Sequence, residues 1–151
     1  MSTLVVRRRG GVFVLGEATL RTGWTWRSAQ IRIGEHTWTV EPTDRRRVGV
    51  AAYAANGVAV RLHPQRSQVP GPGGSAQWRP GHRAGELSRD DRRIRVQLPR
   101  FSRGSVSGEV TGDWPHLELV MLTALFALMT QRRRRTLIAI AVLGATGHGP
   151  T

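Results

Sequence analysis

The sequence predicts a mainly-β protein: a many-stranded, closed or nearly closed barrel around one buried hydrophobic C-terminal helix at about residues 114–130. Three observations predict it. Residues 4–111 read as short alternating segments separated by turn residues, the pattern of a sandwich or barrel. From Leu117 to Met129 only Glu118 and Thr123 are polar, so a helix there is apolar on every side and needs burial all round. The chain of 151 residues is long enough for one sizeable core, and it has no cysteine to staple a smaller one.

The strands follow in order. Leu4–Arg8, Gly11–Leu15 and Ala18–Arg21 are separated by glycines. Trp24–Ile33 and His36–Glu41 flank Gly34-Glu35, a two-residue hairpin signal, with Trp24, Trp26 and Ser28 expected on one face. Arg46–Tyr53 and Val58–Leu62 flank Asn56-Gly57, a dipeptide suited to the positive φ of a type I′ turn. Val58, Val60 and Leu62 then share one face.

Pro64–Gly81 breaks the pattern with four prolines and several glycines and reads as a long mobile loop, holding at most a short strand at Ala76–Trp78. It is no phosphate loop, because no strand-to-helix context surrounds it. Ala84–Ser88, Arg92–Leu98 and Ser105–Val110 complete the strands. In the second, Ile94, Val96 and Leu98 face inward and Arg93, Arg95 and Gln97 outward.

Asp113 reads as a helix N-cap, with Pro115 in the first turn and Glu118 at the positive end of the dipole. Thirteen apolar-dominated residues make about 20 Å of helix, too short for a bilayer core, so the helix is read as a core element. Gln131 and Arg132–Arg135 are expected to close it, placing cations at its negative end. Thr136–Leu143 is a second apolar run: a final strand, a helix extension or a membrane-touching tail, the first being the simplest. Residues 1–135 thus form one barrel domain, and 136–151 an apolar segment with a flexible tail.

All 23 basic residues are arginine, and the net charge is +13. Without lysine there is no Walker-type phosphate loop and no Schiff-base chemistry. Without cysteine there is no zinc ribbon or thiol nucleophile. The five histidines form no metal-binding pair, no serine sits in a nucleophile elbow, and Asp90-Asp91 lies among arginines as a surface turn. No enzyme, cofactor or metal site is expected. The apolar run behind Arg7–Arg9 is too short for a signal peptide, so a cytoplasmic location, peripheral to a membrane, is the expectation.

The segment Gly108-Glu-Val-Thr-Gly-Asp-Trp-Pro-His-Leu-Glu-Leu-Val-Met-Leu-Thr-Ala-Leu-Phe-Ala-Leu-Met129 runs from a last strand through a Gly-Asp turn into the helix. With the strands before it, it resembles the tubby-like β-barrel architecture of tubby domains, phospholipid scramblases and LURP-one-related proteins. That resemblance implies about twelve strands closed around a central helix, and a role in binding anionic lipid headgroups or as a scaffold. The chain departs from it in two ways: the tubby phosphoinositide site uses a Lys/Arg pair, and scramblases carry a Cys-rich stretch, whereas lysine and cysteine are both absent here.

The functional expectation is a binding or scaffold module for an anionic surface, phospholipid headgroups first. Arg132, Arg133, Arg134 and Arg135 form the leading basic cluster, with Arg7, Arg8 and Arg9 and with Arg45, Arg46 and Arg47 as further patches. The alternatives are docking on an acidic protein and non-specific nucleic-acid binding, in which arginines contact phosphates and Trp24, Trp26, Trp38 and Trp78 stack bases. GC-rich coding is a competing source of the arginine content.

Overall fold

The computed structural model describes residues 1–100 and 104–147, with side chains through Gly144. Eleven strands precede one helix: β1 (Ser2–Arg9), β2 (Val12–Leu15), β3 (Ala18–Thr22), β4 (Ala29–Ile33), β5 (His36–Pro42), β6 (Val50–Ala54), β7 (Gly57–Leu62), β8 (Gln77–Pro80), β9 (Ala84–Arg89), β10 (Arg92–Gln97), β11 (Val106–Thr111) and α1 (Leu117–Gly147). They form one sheet in the order β7-β6-β5-β4-β3-β2-β1-β11-β10-β9-β8, every neighbour antiparallel. The edges β7 and β8 nearly meet. Arg61 on β7 pairs with Gln68, and Ser67 pairs with Ala76 just before β8, so two residues of the connecting segment span the remaining gap. The barrel is therefore nearly closed, which leaves little unpaired edge.

Alternation along the strands decides what lies inside. Leu20, Ile31, Val40, Val60, Leu62, Leu87, Ile94 and Val96 point inward and are buried, while Arg93, Arg95 and Gln97 face out, as their register requires. The inner face surrounds the first half of α1, which packs against strands on both flanks of the sheet, from β3 to β7 and on β9 and β10. Leu119 through Leu128 are all buried. Room for the helix comes partly from small inward residues. A Cβ on Gly85 would lie 2.5 Å from the Trp78 ring and 3.0 Å from a Leu128 methyl.

Several elements differ from the sequence reading. The strand expected from Trp24 begins only at Ala29, because residues 23–28 turn: the Trp26 N–H donates to the Gly23 carbonyl (3.3 Å), and Trp26 has a φ of 56°. That turn buries Trp26, which lies 5.5 Å from Phe13 and 5.8 Å from Phe126, and leaves Trp24 outside with 71% of its surface exposed. The two tryptophans do not share a face.

The strand expected from Arg46 likewise begins at Val50, and the β6–β7 hairpin turns at Ala55-Asn56, one residue early, with a bulge at Ala52/Tyr53 that leaves Val58 exposed. The Pro64–Gly81 segment is tied down rather than loose. Arg89 donates to the carbonyls of Gly74 (2.8 Å) and Pro70 (3.1 Å), Arg92 donates to Pro72 (2.8 Å), and Asp90 accepts from the Gly74 N–H (3.2 Å).

The helix begins later and ends later than expected. His116 has a φ of 54°, which no helical residue adopts, so Asp113 does not cap α1. Trp114 turns into the barrel and donates its indole N–H to the Thr111 carbonyl (3.1 Å). At the other end Arg132–Arg135 do not terminate the helix, and Thr136–Leu143 is no final strand: both lie within α1. Arginine is a good helix former, and no glycine or proline intervenes before Gly144. Of the flexible tail expected over 144–151, residues 144–147 belong to α1, and the rest lies outside the described residues.

Candidate functional site

Antiparallel order sends the chain back and forth between two ends of the barrel. α1 enters at the end holding the turns 16–17, 34–35, 55–56, 90–91 and 112–116 and leaves at the end holding 10–11, 23–28, 43–49, 63–66 and 81–83. The entry end carries Glu17, Glu35, Asp90, Asp91, Asp113 and Glu118. Around the exit end stand Arg7–Arg9 closing β1, Arg27, Arg45–Arg47, Arg66, Arg83 and Arg100, with Asp44 as the acidic residue among the described turns there. The three basic clusters read from the sequence, far apart along the chain, are thus brought to one end.

Arg132–Arg135 occupy α1 where it leaves the barrel. At 100° per residue four consecutive arginines point around most of the helix circumference, so they form a collar rather than a stripe. They are half-buried against the rim. Beyond them α1 projects as an apolar helix in which Ile138, Ile140, Val142 and Leu143 are exposed, Leu143 to 69%. No helix among the described residues is long and apolar enough to cross a membrane. The exposed Trp24, read in the sequence as sharing a face with Trp26 and as a candidate for base stacking, sits at this same end, whereas Trp26 belongs to the core.

Arg47 does not contribute to the basic surface. It is buried, and its Nη1 donates to the Thr25 carbonyl (2.8 Å), the Thr130 carbonyl (3.2 Å) and Thr130 Oγ1 (3.3 Å). The Thr130 hydroxyl donates to the Trp26 carbonyl. Loop 43–49, turn 23–28 and the helix are therefore latched together at the exit. Burial lowers the pKa of Arg47, and the charges of Arg27 and Arg134 lower it further, though a guanidinium stays protonated. No acidic side chain makes an ion pair with it among the described residues, so three oxygen acceptors carry the compensation.

Two hollows open at this end. One, about 220 Å³, lies between the emerging helix and the rim, with Arg8, Arg132 and Arg133 around a floor of Phe13, Val106 and Met129. Arg8 is held in place: its Nε donates to the Gly10 carbonyl (3.1 Å), and its guanidinium lies 5.5 Å from the Phe13 ring centre. The other hollow is lined by Asp44, Arg45, Arg46 and His63. Burial alone would raise the pKa of Asp44, but the N–H groups of Val48, Gly49 and Arg46 outweigh it and, with His63, bring the net shift below the ordinary carboxylate range.

Of the tryptophans considered for base stacking, Trp26 and Trp78 are in the core and Trp38 is half-buried. The described residues hold no group of three or more His, Cys, Asp or Glu side chains placed to bind a metal. Fold and site together define a nearly closed antiparallel barrel, threaded by a helix that emerges through an arginine-rich rim. No known protein family, curated protein or solved structure matches the chain.

Proposed function

We propose that the protein is a non-enzymatic module that attaches to an anionic phospholipid surface by its helix-exit end. The observation that carries this reading is the coincidence, at one end, of the arginine rim and the exposed apolar part of α1. Arginines near an anionic leaflet contribute about 1 kcal/mol each, and an apolar element adds the second contact that makes attachment stable. The twelve residues Thr136–Gly147 are about 18 Å of helix, the depth of one leaflet, with the arginine collar at headgroup level. Trp24, amphipathic and exposed, suits the interface. An acidic protein partner would account for the arginines but not for an apolar helix standing among them, and nucleic acid leaves the same helix unexplained.

Flotation of the full chain with neutral and anionic vesicles tests this. Binding is expected to be selective for anionic vesicles, to weaken with salt, and to fall when Arg132–Arg135 are replaced by glutamine or when Ile140 and Leu143 are replaced by serine. Absence of flotation at low salt would overturn the reading.

A further inference from the structure

We infer that the hollow beside the emerging helix is a site for the phosphomonoester headgroup of an anionic lipid. The inference rests on the membrane-surface reading and narrows it from a charged surface to one headgroup class. Three arginines, Arg8, Arg132 and Arg133, line a space of about 220 Å³ in which the described lining residues include no acidic one. Neither Arg132 nor Arg133 has an ion-pair partner among the described residues. The neighbouring hollow contrasts, since Asp44 sits in it and offsets part of the charge of Arg45 and Arg46.

Charge decides between headgroup types. A phosphodiester carries one negative charge, while a phosphomonoester carries about −1.5 to −2 at pH 7 and presents three acceptor oxygens. Forked donors from more than one arginine match the second better. Preorganisation strengthens the match: Arg8 is fixed by Gly10 and Phe13, and Arg132 and Arg133 stand on ordered helical backbone.

The apolar floor separates a lipid from free phosphate. Phe13, Val106 and Met129 give the space a side that an inorganic ion leaves uncovered, whereas the glycerol and first methylenes of a lipid would lie on it. The apolar face of α1 beyond the collar then continues along the acyl chains.

The test compares the full chain on vesicles of equal surface charge containing either phosphatidic acid or phosphatidylglycerol, and measures soluble dihexanoyl phosphatidic acid and inorganic phosphate by calorimetry. The wild type is expected to bind phosphatidic acid vesicles about tenfold more tightly, the order of one charge-assisted hydrogen bond. Replacing Arg132 and Arg133 by glutamine, or Arg8 by glutamine alone, should remove the preference while leaving charge-driven binding. Replacing Arg45 and Arg46 by glutamine should weaken both vesicle types equally, and thermal unfolding checks that each variant is folded. Equal binding to both headgroups would overturn the headgroup site and leave the surface reading standing. Binding of the soluble lipid without any vesicle binding would support the site and overturn the surface reading. Inorganic phosphate binding as tightly as the soluble lipid would overturn the assignment to a lipid.

Discussion

Between Leu117 and Thr130, α1 is enclosed by the barrel wall; from Thr136 onward the same helix carries residues just as apolar that stand outside it. The two halves differ little in composition. They differ in what the strands can reach. Strands of four to eight residues make a barrel that covers about four turns of helix, and the arginine collar marks where that cover stops. An all-apolar helix therefore has two structural meanings in one molecule, a core in the first half and a contact surface in the second.

The comparison breaks most sharply by shortening side chains in each half. Phe126→Ala in the enclosed half should cost about 3–5 kcal/mol, since Phe126 is fully buried and touches Trp26, whereas Ile140→Ala in the emerged half should stay within about 0.5 kcal/mol. Urea unfolding measures both. Equal losses would mean that the emerged half is also packed.

The enclosed half also depends on the wall giving it room. Gly85→Val puts a branched side chain into Trp78 and Leu128 and should cost about 1–3 kcal/mol in the same assay. A neutral result would mean that the helix does not press on β9.

The boundary between the halves is held by the latch. Arg47→Met removes the side-chain donor shared by the Thr25 and Thr130 carbonyls and the Thr130 hydroxyl, and should destabilise by about 1–3 kcal/mol. Amide exchange should quicken first in turn 23–28 and near Thr130. Exchange unchanged there would show that the helix exit is held by packing alone.

The smallest effect expected is acid sensitivity of loop 43–49. The folded-state pKa of Asp44 lies below its unfolded value, so its contribution is present above the unfolded value and is lost as pH falls through the folded one. Asp44→Asn should flatten stability against pH only at the acid end of the carboxylate range, and a change near neutrality would contradict this account.

Much of the barrel was legible because alternation is a local property. Ile94, Val96 and Leu98 are buried where their period placed them, and the hairpin at Gly34-Glu35 pairs Ile33 with His36. Positive φ at residues that rarely adopt it was not legible. Trp26, Arg47 and His116 take such values, and they shifted the starts of β4, β6 and α1. Tertiary contacts over-determine these conformations: Trp26 is gripped by Phe13 and Phe126, and Arg47 by Thr130. The site shows the same division. Each arginine cluster was visible as a run, but only strand order shows that Arg8 faces Arg132 and Arg133 while Arg47 turns inward.

By itself the sequence determined the alternating inner face, the glycine turns, the charge of +13 and a helix apolar on all sides, because each is a matter of residue type and period. Only the tertiary structure decided where that helix is covered, which arginines gather at its exit and which one is buried there. Those outcomes follow from barrel length and antiparallel strand order, which join residues far apart in the chain and leave no mark on any short stretch of it.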